Sequence, residues 1–186
     1  MSERYATRVP GLHIRAAERD DVPLLLGFVR ELAEFEKLLD HVAADEATLA
    51  EELFGAPRVA EALIAELAGE PVGFALFFHN FSTFAGRKGL YLEDLYVRPH
   101  ARRRGIGRAL IAVVARIAVE RRCGRFEWSV LDWNARAIDF YRSLGAVAMD
   151  EWTVQRVTGE ALQRLAKSGT DPDLTPIKSG SVPDFR

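Results

Sequence analysis

The run Tyr91-Leu-Glu-Asp-Leu-Tyr-Val-Arg-Pro99 leads almost directly into Arg102-Arg-Arg-Gly-Ile-Gly107, and together these segments leave few architectures open to the chain. The first has the pattern of a buried strand but carries two acids at its centre, Glu93 and Asp94. Carboxylates are rarely buried unless something pairs with them, so an acidic pair inside an apolar run marks a site. The second opens a long helix whose apolar face is Ile106, Leu110, Val113, Val114 and Ile117. Arg102, Arg103 and Arg104 stand at the positive end of that helix, where each cation is unfavourable by roughly 0.3–1 kcal/mol. A bound polyphosphate reverses the sign of that effect, and Gly105 and Gly107 let backbone N–H groups approach its oxygens. The turn is neither a Walker loop nor a dinucleotide fingerprint, because no Gly-x4-Gly-Lys-Ser/Thr occurs and the third glycine of the fingerprint is missing.

The rest of the chain supplies a sheet and helices around this strand. Residues 12–16 alternate apolar and polar, which predicts a half-buried first strand. Asp20 or Asp21 is placed to cap a helix that has Pro23 in its first turn and runs to about Leu39. A shorter helix is expected over 45–54, ended by Gly55 and Pro57, then a hairpin of strands 62–67 and 72–78 and a loop over 81–89. Strand 90–97 and the helix 105–122 follow, with Gly124 as the left-handed cap. Strand 126–131 then completes a right-handed crossover unit. Asn134 caps a helix ending at Gly145, and 152–157 and 160–167 read as a further strand and a short helix. The domain is expected over 11–167, with an N-terminal extension at 1–10 and an irregular tail at 168–186.

A length of 186 residues suits one domain with a full core. The net charge of −2 argues against a general nucleic-acid binder, so the arginine cluster needs a local explanation. No apolar run is long enough to span a membrane, and the first ten residues lack a secretory core, which implies a cytoplasmic protein with no membrane partner. The single cysteine, Cys123, agrees with a reducing compartment and is poorly placed as a nucleophile. His13, His41, His79 and His100 lack metal-ligand spacing, so no metal is expected.

Arg102-x-x-Gly105-x-Gly107, preceded by the acidic strand, resembles the acetyl-CoA-binding segment of the GCN5-related N-acetyltransferase (GNAT) superfamily. The block Val130-Leu-Asp-Trp-Asn-Ala-Arg-Ala-Ile-Asp-Phe-Tyr-Arg-Ser-Leu-Gly-Ala146 is similar to that superfamily's second block. Within it, Glu31-Leu-Ala-Glu-Phe-Glu-Lys37 and Tyr91-Leu-Glu-Asp94 resemble the diamine acetyltransferases, and the thialysine N-acetyltransferases more closely still. The similarity extends from about Ile14 to Lys167.

The resemblance implies an α/β fold: a mixed, mostly antiparallel central sheet of about seven strands with a splay, and helices on both faces. It implies acetyl-CoA as co-substrate, held by Leu95, Tyr96 and Val97 on the strand, by Arg102, Arg103, Arg104, Gly105, Ile106, Gly107 and Arg108 at the turn, and by Asn134, Arg136 and Tyr141 near the thioester. It implies Glu93 as base through water and Tyr141 as acid, and places Phe35, Glu36, Phe84, Glu93, Asp94 and Trp128 toward a small-molecule amine. Asp150 and Glu151 are weaker candidates, with the choice between them open. A homodimer is expected from the family. The chemistry asks for the same parts, since an alkylamine of pKa about 10.4 must lose a proton and a departing thiolate of pKa about 8.5 benefits from a donor.

Neighbouring strand residues face opposite sides, so Glu93 and Asp94 cannot share a cleft without a bulge. Taken alone, Tyr141 would be a helix-boundary aromatic and Glu93 a salt-bridge partner; the resemblance is what gives them roles. The loop Phe81-Ser-Thr-Phe-Ala-Gly86 lacks the acid of polyamine-acetylating relatives, which favours lysine-like or shorter amines. Acetylation of a protein lysine or N-terminus, and a non-catalytic CoA-binding module, are the alternative functions.

Overall fold

The computed structural model describes residues 4–168. Six strands form one sheet in sequence order: β1 Arg4–Ala6, β2 Leu12–Ala16, β3 Glu61–Leu67, β4 Glu70–Ser82, β5 Arg87–Val97 and β6 Phe126–Trp128. All neighbours are antiparallel except β5 and β6, which run parallel. The helices are α1 Val22–Glu36, α2 Glu46–Phe54, α3 Ile106–Glu120, α4 Ala135–Arg142 and α5 Gly159–Ser168. They belong to two compact units, one ending at Asn134 and one beginning at Ala135. Among the described residues no helix is long and apolar enough to cross a membrane.

In the first unit, alternate residues of the central strands feed two cores. Phe28 and Leu25 of α1 and Leu53 of α2 meet Ile64, Phe74 and Tyr96 on one face of the sheet. The rings of Phe28 and Phe74 stack there at 5.5 Å. Each such fully buried side chain contributes about 1.5–3 kcal/mol of hydrophobic stabilisation. On the other face α3 packs against β3, β4 and β5, burying Leu110, Val114 and Ile117.

Several expected boundaries move, each for a local reason. Helix α1 stops at Glu36 rather than near Leu39, because Lys37 turns left-handed (φ 61°) and a 3-10 turn at Leu39–His41 follows. Asp21 does not cap α1 with its side chain; its carboxylate is held by Arg15 at 2.6 and 2.8 Å and by the Glu18 N–H. Asp45 does cap α2, accepting from the Thr48 N–H at 2.8 Å.

The loop expected over 81–89 is mostly strand, since β4 and β5 keep pairing as far as Ser82 and Arg87 and leave only a turn at 83–86. Cross-strand pairing with a long neighbour overrides the small and aromatic residues that read as loop. After α3 the left-handed residue is Arg122 (φ 56°), not Gly124.

The expected strand over 152–157 is also absent: this stretch is exposed and carries no ladder. The sheet therefore has six strands among the described residues instead of about seven, and one of these, β1, lies within the expected N-terminal extension. Alternating apolar residues make a strand only where an edge accepts their backbone groups. The tail at 168–186 lies outside the described residues apart from Ser168, which closes α5.

Candidate active site

The site is built at a break in strand β5. Phe77 stands opposite Leu92, and Leu76 opposite Asp94, which leaves Glu93 as an extra residue in a bulge. At the same step the parallel ladder with β6, which runs from Leu90 and Phe126 to Leu92 and Trp128, comes to its end. Beyond the bulge β5 keeps only its β4 neighbour among the described residues. The Arg98 N–H donates to the Val72 carbonyl at 2.8 Å, which makes Gly73 and Val97 a non-hydrogen-bonded pair. The N–H and C=O of Val97, and with a period of two those of Leu95, therefore point to the edge that β6 has left. Gly73 permits the close approach on the other side, since a Cβ there would come within 2.5 Å of the Tyr96 carbonyl.

The bulge supplies the condition on which the two acids depend. Glu93 is exposed and Asp94 half-buried, opposite Leu76 on the sheet face that packs against α1. Burial, reinforced by the charges of Glu93 and Glu36, pushes the Asp94 carboxyl up to about 7. Glu36, the last residue of α1, is also raised by burial. The Asp94 carboxyl thus feels two further carboxyls, one on its own strand and one at the end of α1, and among the described residues none of the three has an ion-pair partner.

An aromatic mouth adjoins them. Phe35, 40 % exposed, has its ring 5.9 Å from Trp133, itself 56 % exposed. The guanidinium of Arg102 lies over Phe35 at 4.8 Å and over Tyr96 at 5.5 Å, while its Nε donates to the Val97 carbonyl at 2.8 Å. Arg102 is therefore folded back onto β5 and α1. Arg103 (φ 64°) and Arg104 remain exposed beside Gly105, whose φ of 83° shapes the entry to α3. The N-cap residue of that helix, Gly105, makes no side-chain cap bond; Ile106 is buried behind it, and Gly107 and the exposed Arg108 follow.

Of the remaining candidates, Trp128 pairs with Leu92 beside the bulge, Phe84 stands apart from it, and others belong to the other unit. Trp128, half-buried at the end of β6, packs edge-on against Phe126 at 5.0 Å. Phe84 is 96 % exposed in the turn between β4 and β5, and Arg87, which begins β5 beyond it, is already roughly 20 Å of strand from Glu93. Asn134 ends the first unit, its N–H donating to the Leu131 carbonyl at 2.8 Å. In the second unit α4 carries the exposed Arg136 and the half-buried Tyr141, whose ring lies 5.3 Å from that of Phe140. Asp150 and Glu151 are exposed after α4. Trp133 is not among the expected site residues; its place between Asp132 and Asn134, inside the second motif block, is the one signal of it in the sequence.

Comparison with known proteins adds four findings. The sequence model of the Acetyltransferase (GNAT) family matches residues 15–146. Thialysine N-epsilon-acetyltransferase of Bos taurus is 42 % identical over 164 residues, covering 82 % of this chain and 96 % of that protein. L-ornithine N5-acetyltransferase of Arabidopsis thaliana is 31 % identical, covering 83 % and 87 %. Among solved structures, an integron cassette protein from the mobile metagenome of Vibrio cholerae superposes with a TM-score of 0.72 at 29 % identity, covering 85 % of this chain and 99 % of that one.

Proposed function

The chain belongs to the GNAT family of acetyltransferases, and from that premise we propose that it acetylates the primary amine of a small, lysine-like molecule such as thialysine or ornithine. That it is an acetyl-transfer enzyme acting on small-molecule amines follows from the family and from relatives at up to 42 % identity. The observation that carries the finer reading is the half-buried Asp94 beside the bulged Glu93, subject to the charges of Glu93 and Glu36 and with no cation paired to it among the described residues. A cluster of carboxyls without cations of its own attracts a cationic ligand, and three acids beside Phe35 and Trp133 suit a short alkylammonium with an apolar stem.

The residues present fit acetyl-CoA. Leu95 and Val97 offer backbone donors and acceptors along an unpaired edge, as an added strand would require. The uncapped start of α3, with Arg103, Arg104 and Arg108 near it, offers N–H groups and cations to a pyrophosphate. Acetyl-CoA supplies the activated acetyl thioester. At neutral pH only about one alkylamine in 2,500 is uncharged, so proton removal is the first task of the site. Glu93, exposed at the bulge, takes that proton through water, and Asp94 orients the ammonium from its half-buried position. Tyr141 returns a proton to the sulfur as the carbon–sulfur bond breaks; the support for it is its place in the Asn134-x6-Tyr141 block. The transfer is direct, without an acyl-enzyme.

The reading includes a cytoplasmic protein, supported by the lone unpaired Cys123, and a homodimer, supported by the family resemblance. Sedimentation tests the second. The activity is tested by incubating the protein and acetyl-CoA with thialysine, ornithine, lysine, diaminopropane, spermidine and lysine-containing peptides while following free thiol. Turnover of the short amines is expected to exceed that of spermidine and of peptides. Acetylation confined to peptides would overturn the reading.

A further inference from the structure

We infer that Arg102, the first residue of the arginine-glycine motif, is a positioning residue of the amine mouth and not a ligand for the phosphates of the co-substrate. Three contacts hold its side chain away from the turn. The Nε–H is committed to the Val97 carbonyl at 2.8 Å, and the guanidinium plane lies over the rings of both Phe35 and Tyr96. The side chain is correspondingly half-buried, whereas its neighbours Arg103 and Arg104 are exposed. A guanidinium has five N–H donors in a rigid fork, and this one has its faces against rings and one edge against the backbone.

What the contacts connect gives the residue its role. Val97 presents its N–H and C=O to the open edge of β5, on the co-substrate side. Phe35 is the partly exposed ring beside Glu36, and it meets Trp133 as well. Arg102 therefore ties the end of the open strand to the last turn of α1, and so fixes both the ring and, through the adjacent residue, the Glu36 carboxyl. Tyr96 is part of the apolar core, which anchors the guanidinium from below. A carbonyl has two lone pairs, so the Val97 oxygen retains one for a ligand. Arg102 thus serves specificity for the amine, while the neighbouring arginines serve the anion.

The inference rests on the amine reading above, and the test separates the two. Wild-type protein that releases thiol with no amine would sink that reading without bearing on Arg102. With thialysine as the probe, Arg102→Lys keeps the charge but loses the planar stack and the Nε donor. It is expected to raise the KM for thialysine about tenfold, to leave the Kd for coenzyme A within twofold, and to change kcat less than threefold. Arg104→Gln should do the reverse, weakening coenzyme A several-fold. Phe35→Leu provides a second route should the lysine variant fold poorly. The double variant is expected to raise the thialysine KM no further than the larger single change, because both remove one contact. A several-fold loss of coenzyme A affinity in Arg102→Lys with an unchanged thialysine KM would overturn the assignment, and so would fully additive effects of the two substitutions.

Discussion

Asp21 and Glu61 each face an arginine, whereas Asp94 faces two other acids, and this difference separates the scaffold from the candidate site. Arg15 grips Asp21 with two hydrogen bonds and Glu66 with a third at 2.8 Å. Arg121, just past α3, forms a two-bonded pair with Glu61 on β3, and Arg98 pairs with Glu31 at 2.7 Å. The hydrogen bonds from their arginines hold the carboxyls of Asp21 and Glu61 below the ordinary range. Asp94, also removed from water, is pushed up to about 7 because burial and like charge act on it unopposed. Partial burial is common to all three acids; what sets Asp94 apart is the lack of a cation paired with it among the described residues. A chain with 25 Lys and Arg residues has cations enough to quench the cluster, yet among the described residues none pairs with it.

The contrast breaks most sharply at Glu93. Glu93→Gln is expected to lower kcat by roughly 10²–10⁴-fold, the usual range for losing a general base, with the deficit greatest at low pH. Wild-type turnover in this variant would remove Glu93 from the mechanism.

On the scaffold side, Arg15→Met leaves Asp21 and Glu66 facing each other without a cation, and a loss of about 2–4 kcal/mol is expected in urea unfolding. The Asp21 carboxyl is lowered in the folded state, so its contribution is present above the unfolded value near 3.8 and lost as pH falls through the lower folded value. The gap between wild type and variant should therefore narrow below about pH 4. A gap independent of pH would mean that the pair contributes by packing alone.

Asp94 predicts the opposite sign. Its folded form keeps a proton up to about pH 7 while the unfolded chain releases it near 3.8, so its contribution falls as pH rises between those values. Wild-type stability is expected to drop by about 1–3 kcal/mol from pH 5 to pH 8, a drop that Asp94→Asn should abolish while raising the amine KM about tenfold. Equal slopes in the two proteins would erase the distinction between scaffold and site acids. The smallest effect belongs to Phe84→Ala at the hairpin turn, less than twofold in amine KM. A large rise would show that this turn reaches the acid cluster of a second copy.

Much of the fold is legible in the order of the amino acids. The helical spacing of Leu24, Leu25, Phe28 and Leu32, the short helix ended by Gly55, the hairpin around Gly69 and the glycine turn leading into α3 are local signals that the fold keeps. The acids in the β5 pattern are readable as an anomaly, because charge inside an apolar run is improbable without a reason. Three things are not readable. The extension of β4 and β5 across 81–89 depends on a partner strand, as does the lack of a ladder at 152–157. Arg102 reads as one of three equivalent cations, since nothing in its neighbours shows that its side chain turns back to Phe35.

The sequence by itself determined most of the element order up to α4, the cationic glycine turn that opens α3 and the acids set in an apolar strand, because capping, periodicity and side-chain charge are properties of short segments. Only the tertiary structure decided that Glu93 is the bulged residue and that β6 leaves β5 at that step. It alone decided too that Glu36 arrives from α1 to raise Asp94. Strand register and the meeting of distant charges are set by pairing across the sheet, and no short stretch of chain carries that information.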